Sequence, residues 1–569
     1  MKRKSILGFV ANTAIAAISI STSFAQTNLG QECGCPAVGS RPSKNISALG
    51  VNANGELTAS QTLTCDTTWV LDQKIYVPNG KVLTIKPGTL IKGNSVADPA
   101  NATGLIIERG GKIMADGKAN CPIVMTSSSD PMDGTHSLTN VGEWGGLVLL
   151  GIATNNLRDG NVYCANHTNG VGFIEGFNAS NGRDLYGAGD AAFPTFDDND
   201  NSGILRYVSV RHAGAILQIG NELNGISFGS VGRGTTVEHV ETIAAADDNM
   251  EFFGGTVDVK YCSVLYGDDD FYDYDLGYSG RMQFNFGIAG DSITGLHTTD
   301  NGYECDADDD KTATTFDRSH PLIYNCTLIG NGHIMPAADN TGPAAIQAKE
   351  LTEGEFFNCV FANFRSGLHL SEARSTSTYK GDAYDNWTDN TADPYLTTNG
   401  GVARYHSLIV KNNTFINCDL KGGNKSASYP ITRGTMVSGK NPAIYKNVTP
   451  ATTADITQFT NDGNTMVSSV PGIDFNWSWN AAHTSFANQY HAVPTTNLTS
   501  TATPPNDGWF TIVNYRGAFD ATKPSWISDG YYVSMQTMLA ANPTDLNNDG
   551  VTDINDFSIF IGKFNQLDK

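Results

Sequence analysis

The chain has 569 residues and a formal net charge of −22. So acidic a surface repels phosphate, which excludes nucleic acid as a partner, and beyond the N-terminus no apolar run reaches the roughly 20 residues of a membrane span. Charged residues make up only 17%, while 60 Gly and 21 Pro mark a turn-rich chain, so neither a coiled coil nor acidic disorder fits.

At the N-terminus Lys2, Arg3 and Lys4 precede an apolar stretch from Ile6 to Ile20, and Ser23-Phe24-Ala25 offers a small-x-small cleavage site. This pattern predicts a signal peptide over residues 1–25 and an exported protein, extracellular or on the outer cell surface. No cysteine stands in lipoprotein position. Removing the signal takes away three positive charges and leaves about −25. Export permits disulfides. Cys262, Cys326, Cys359 and Cys418 lie in apolar strand patterns and read as core residues. Cys33, Cys35, Cys65, Cys121, Cys164 and Cys305 lie in looser segments and are available for bridges whose connectivity the sequence leaves open.

Residues 26–64 read as a leader or cap. From about residue 65, short strands alternate with glycine turns: Val82-Leu83-Thr84-Ile85 before Pro87-Gly88, Leu105-Ile106-Ile107 before Gly110-Gly111, Ile113-Met114 before Asp116-Gly117. Further on, Leu205–Val208, Val237–Val240, Val259–Cys262, Ile323–Cys326 and Phe356–Cys359 superpose, their last residues separated by 32, 22, 64 and 33. One coil of a parallel β-helix takes roughly 20–25 residues, and longer gaps hold insertions or two coils. In this register Val208, Val240, Cys262, Cys326 and Cys359 face inward, and Tyr207, His239, Tyr261, Asn325 and Asn358 face the other way. The pattern predicts an all-β solenoid over residues 65–535. A β-propeller would need longer repeats with periodic tryptophans, and the seven tryptophans show no period.

Several stretches resemble an exported bacterial family of right-handed parallel β-helix proteins: Val82–Gly93, Gly142–Gly151, Asp197–Gly203, Asp268–Gly280, Thr299–Cys305 and Tyr515–Phe519. The resemblance implies the fold and no particular activity.

Three acidic clusters recur at coil spacing: Asp247-Asp248; Asp268-Asp269-Asp270 with Asp273 and Asp275; and Asp300 with Glu304, Asp306 and Asp308 to Asp310. Stacked coils would bring them to one edge, where carboxylates repel unless cations or shared protons intervene. Calcium, a hard cation taking six to eight oxygens, suits them, and a solvated charged face is the plain alternative. Asp269, Asp270 and Asp300 are also candidates for paired-carboxylate cleavage of a polysaccharide. Gly267-Asp-Asp269 and Thr299-Asp300-Asn-Gly302 resemble polygalacturonase motifs, although no Gly-His-Gly or Arg-Ile-Lys follows. A lyase would need calcium and a base, for which Arg206, Arg211, Lys260 and Arg281 are available. The stripe Tyr207, His239 and Tyr261 could stack sugar rings, or simply pack across strands.

Gly225-Ile-Ser227-Phe-Gly229 matches a nucleophile elbow only in spelling, because a strand and not a helix is expected to follow. His212 and His369 lie in strand patterns and read as structural. Lys421–Ser426 lacks P-loop spacing. Near the C-terminus, Asp545, Asn547, Asp549, Val551, Asp553 and Asp556 occupy loop positions 1, 3, 5, 7, 9 and 12 around Gly550, and Phe557, Phe560, Ile561 and Phe564 follow at helical spacing. This alternation predicts a calcium-binding loop entering a helix. The segment 541–569 resembles one repeat of a dockerin, which implies a cohesin-like partner. Thr552 departs from the usual apolar residue, and one repeat stands where cohesin-binding dockerins carry two. The function expected from the whole chain is a non-catalytic, calcium-binding and glycan-binding or adhesive surface protein. The alternatives are a polysaccharide lyase or hydrolase and a structural surface-layer element.

Overall fold

The computed structural model describes residues 29–95, 101–157, 170–174, 177, 182–218, 221–290, 300–307, 318–331, 344–349, 352–372, 387, 408–418, 431–438, 444–450, 453–473 and 492–528. The signal sequence, Cys164, Asp308 to Asp310, Lys421–Ser426 and the calcium loop lie outside them.

Short strands stack in parallel and in register. Leu205 pairs with Val237, Val237 with Val259, Val259 with Met282, Met282 with Ile323 and Ile323 with Phe356. The 64-residue gap therefore holds two coils, the extra one passing through Met282 and Phe286. The strands form three columns. Two belong to one 20-stranded sheet, because the long strands Gly203–Arg211 and Thr236–Ile243 run through both; the third is an 11-stranded sheet. All pairings between coils are parallel, and the strand Ile444–Pro450 adds antiparallel to the end of the third column. The architecture is an all-β parallel β-helix. Stacking begins at Ser43–Asn45, which pairs with Thr68–Val70.

Each coil buries alternate side chains, so the interior is a continuous apolar column from Leu63 and Leu83 through Val208, Val240 and Cys262 to Phe415. Cys262, Cys326, Cys359 and Cys418 are buried free thiols, as the alternation requires. Cys305, expected in a looser segment, is a fifth: it lies inward on Tyr303–Cys305, where flanking acidic residues disguise the strand. Cys33–Cys121 and Cys35–Cys65 are disulfides stapling the N-terminal cap to the first coils.

At one corner the chain turns through residues in the left-handed region: Tyr207, His239, Tyr261, Phe284, Asn325, Asn358 and Asn412, all with φ between 51° and 58°. The conformation costs a non-glycine residue roughly 1–2 kcal/mol, and Asn tolerates it best. The aromatic members offset it by stacking. Tyr207 lies 4.5 Å from His239, His239 4.8 Å from Tyr261 and Tyr261 5.0 Å from Phe284. Residues 492–528 run as a strap over this corner and the apolar outer face beside it. Tyr515, Ala518, Phe519 and Ile527 pack there on Phe286, Ile288, Ile329, Val360 and Ile416. Lys260 donates to the Trp509 carbonyl at 2.8 Å, and Arg281 bridges Asp258 and Asp507.

Candidate functional site: an acidic ledge on the third column

The third column stacks Met250–Phe253, Tyr272–Asp275, Tyr303–Cys305 and Ala344–Ala348. Met250, Tyr272, Tyr303 and Ile346 point inward. One residue on, Glu251, Asp273 and Glu304 align on the outer face, followed by Gln347 and His369. The turn before each strand adds two more rows. In one, the backbone joins Asp247, Asp269 and Asp300: the Asp269 N–H donates to the Asp247 carbonyl at 3.5 Å and the Asp300 N–H to the Asp269 carbonyl at 2.9 Å. In the other, side chains accept the amides of the next coil. Asp270 N–H donates to Asp248 Oδ1 at 2.8 Å, Asn301 N–H to Asp270 Oδ1 at 2.5 Å and Ala344 N–H to Asn301 Oδ1 at 3.0 Å.

This stacking concentrates negative charge. Oxygens of Asp247, Asp248 and Asp269 all lie within 4.8 Å of one another, and so do oxygens of Asp248, Glu251 and Asp273. Asp248 belongs to both groups. Burial, and then the charges of Asp247, Asp273, Glu251 and Asp270, push its carboxyl well above the usual range. Burial, Asp269 and Asp273 do the same to Asp270, against which Lys349 and the Asn301 amide pull down. The oxygens are hard donors brought together from two consecutive strands and the turns before them. Lys349 carries the Glu304 carboxylate and lies 3.0 Å from Asp306.

Five of the predicted acidic residues thus converge: Asp247, Asp248, Asp269, Asp270 and Asp273. Asp300 stands beside Asp269 in the same row. Asp268 lies at the turn outside both three-carboxylate groups, and Asp275 at the far end of its strand accepts the Leu276 amide at 2.5 Å. Sequence reasoning missed Glu251, which accepts from Asn224. The signal was present as a recurring spacing: Asp248 and Glu251, Asp270 and Asp273, Asn301 and Glu304.

The candidate bases lie elsewhere. Arg206, Arg211, Lys260 and Arg281 stand on the other sheet or beside it. Arg206 pairs with Asp116 and Glu238, Arg281 with Asp258 and Asp507. Arg211, 2% exposed, approaches Glu241 at 3.9 Å. The aromatic stripe is half-buried. His239 is stacked between Tyr207 and Tyr261, Tyr261 between His239 and Phe284, and Trp526 meets His239 and Tyr261 edge-on at 6.3 and 5.6 Å. Ser227 of the G-x-S-x-G stretch lies within the strand Ile226–Gly229, with no helix after it. His212 Nδ1 lies 2.6 Å from the Asn140 carbonyl, and His369 is buried on the third column.

Three columns of in-register parallel strands with one carboxylate-lined face define a β-helix protein with an acidic ledge. The chain belongs to the pectate-lyase-like β-helix domain family, whose sequence profile matches residues 55–399. Neither the curated proteins nor the solved structures yield a match.

Proposed function

We propose that this is an exported β-helix protein that binds calcium on the acidic ledge and, through calcium, an acidic glycan, without cleaving it. The observation that carries the reading is Asp248, a buried carboxyl shared by two three-carboxylate groups. Carboxylates crowded this way either keep protons or take up cations, and calcium accepts a flexible set of oxygens while leaving positions for a ligand's own carboxylates. Asp247, Asp248, Asp269, Glu251 and Asp273 would hold the ions. Export is supported by the N-terminal signal pattern and by two disulfides, which persist in oxidising compartments. The loop from Asp545 to Asp556 supplies the ligand set of a separate calcium site.

A lyase also needs a base beside the bound uronate. The four basic candidates lie away from the ledge, and Lys349 already carries two carboxylates. The test is retention and breakdown of uronate and neutral polysaccharides by the mature chain, in calcium and in chelator. The expected result is calcium-dependent retention of uronate polymers, abolished by Asp248→Asn with Asp273→Asn, and no unsaturated-uronate absorbance. Calcium-dependent cleavage lost in Asp269→Asn or Asp270→Asn would instead make the ledge an active site.

A further inference from the structure

Beside the corner that the strap covers, one buried row is not apolar. In chain order it holds Cys262, Asn285, Cys326, Cys359, Asn413 and Asn464, one from each successive coil. Backbone bonds keep them in step: the N–H of the residue after each member donates to the carbonyl of the member one coil earlier. The asparagines also link coils through their side chains. Cys262 N–H donates to Asn285 Oδ1 at 3.3 Å, Cys359 N–H to Asn413 Oδ1 at 2.8 Å and Asn413 N–H to Asn464 Oδ1 at 3.0 Å. Between Cys326 and Cys359 two thiols meet instead.

The register leaves no slip on either side of them. Tyr324 opposes Phe357 and Thr327 opposes Val360, so Cys326 opposes Cys359. Both are fully buried, and their thiols are hydrogen-bonded to one another. Opposed residues on neighbouring strands have Cα atoms about 4.8 Å apart, within the roughly 4.4–6.8 Å that a disulfide spans. Among the described residues the other free thiols have no such neighbour: Cys262 meets Asn285, Cys305 faces Tyr274 and Ala348, and Cys418 lies beyond Ile416, which opposes Ala362. The residues just before the pair hold the strap. Asn325 Nδ2 donates to the Tyr515 carbonyl at 2.6 Å, Asn358 Nδ2 to the Ala502 carbonyl at 3.0 Å and Gly517 N–H to the Asn358 carbonyl at 2.7 Å.

We propose that Cys326 and Cys359 join in a further disulfide, a clasp between two coils that fixes the corner on which the strap lies. The oxidant is the disulfide of a thiol–disulfide exchange partner, supplied by the same oxidising environment that closes Cys33–Cys121 and Cys35–Cys65. The Cys326 thiolate attacks one sulfur of that disulfide, and one partner thiolate leaves. The Cys359 thiolate then attacks the Cys326 sulfur, and the second partner thiolate leaves. The chain gives up two thiol protons and two electrons, and the partner's disulfide is reduced to two thiols. Burial pushes the Cys326 thiol well above its usual range in the folded chain. Exchange therefore belongs to the stage before these coils close, and the finished bond is shielded from reductant.

The experiment maps the thiols of the mature chain, produced through an oxidising export compartment and purified without reductant. The chain is unfolded in guanidinium chloride with iodoacetamide, digested and read by mass spectrometry. Cys262, Cys305 and Cys418 should be alkylated. Cys326 and Cys359 should not, and their peptides should appear joined, two hydrogens lighter than their sum, and should separate on reduction. Cys326→Ser should leave Cys359 open to alkylation. Cys326→Ser with Cys359→Ser should lose the joined peptide and be cut faster by protease within residues 492–528; if that variant does not fold, the wild-type map decides by itself. Full alkylation of Cys326 and Cys359 in the unreduced chain overturns the proposal, as does a link from either to Cys164. A joined peptide in wild type with an unchanged rate of cutting in the double variant overturns the hold on the strap.

Discussion

The aromatic corner and the acidic ledge are built by the same device and have opposite physical consequences. In both, stacked coils bring like side chains into rows about 4.8 Å apart. Rings so placed attract, and Tyr207, His239, Tyr261 and Phe284 stack at 4.5–5.0 Å, with a strap over them. Carboxylates so placed repel, and Asp248 is driven towards its neutral form. A solenoid therefore amplifies whatever its repeat puts outside. Apolar and aromatic rows become internal packing surfaces, and charged rows become places that need a counter-charge from Lys, His or solution.

Four measurements would break or sharpen this contrast. The largest effect is expected under the strap. Phe286 is fully buried between the sheet and Phe519, and Phe286→Ala should cost about 3–5 kcal/mol. Chemical denaturation should register the loss, and limited proteolysis within residues 492–528 should accelerate. Unchanged proteolysis would mean that the strap is held by Lys260, Arg281 and its backbone bonds instead.

The next concerns carboxylates that the chain neutralises itself. His320 lies 2.9 Å from Glu353 and 3.6 Å from Glu355. Burial alone would lower its pKa; the two glutamates outweigh burial and hold it at about 9. Because the folded value lies above the ordinary value near 6.5, this stabilisation is full below about pH 6.5 and is lost as the pH rises through about 9. The loss should reach about 2–3 kcal/mol. Urea midpoints at pH 6 and 9.5 should fall in wild type and stay level in His320→Asn.

The ledge should behave in the opposite way. A buried carboxyl with a raised pKa favours the folded state at low pH, and its contribution is lost as the pH climbs from the ordinary range near 4 towards and through the raised value. In chelator, wild type should therefore lose stability from pH 4 to 7. Asp248→Asn keeps an acceptor for the Asp270 amide, should flatten that slope, and should be more stable by about 1–3 kcal/mol at pH 7. Calcium should stabilise wild type more than the variant, which keeps the separate C-terminal loop. Equal slopes in calorimetry would remove the ledge from the comparison.

The smallest effect falls on the corner itself. Burial lowers the His239 pKa to about 4, so the ring is neutral between its tyrosine neighbours. His239→Phe should shift stability by less than about 1 kcal/mol at neutral pH. It should differ from wild type only in acid, where the contribution of neutral His239 is present above about pH 6.5 and is lost as the pH falls towards 4. An acid limb of equal steepness in both proteins would assign that limb to other groups.

Much of this was legible in the chain. The alternation around Val208, Val240 and Cys262 fixed which residues face the core, because a strand has period two whatever surrounds it. Near-coil spacing put Asp248 and Asp270 on one edge. Glu251 was harder to see, since its meaning lies in alignment with Asp273 and Glu304 across turns of different length. Cys305 was misplaced because a strand of three residues between acidic neighbours looks like a loop.

By itself the sequence determined the repeat, the inward column and the acidic rows, all consequences of local periodicity and of coil length. Only the tertiary structure decided which cation serves which carboxylate and which row is covered. Lys349 reaches Glu304, and Trp526 reaches His239, through contacts between segments far apart in the chain, and no local pattern encodes distances of that kind.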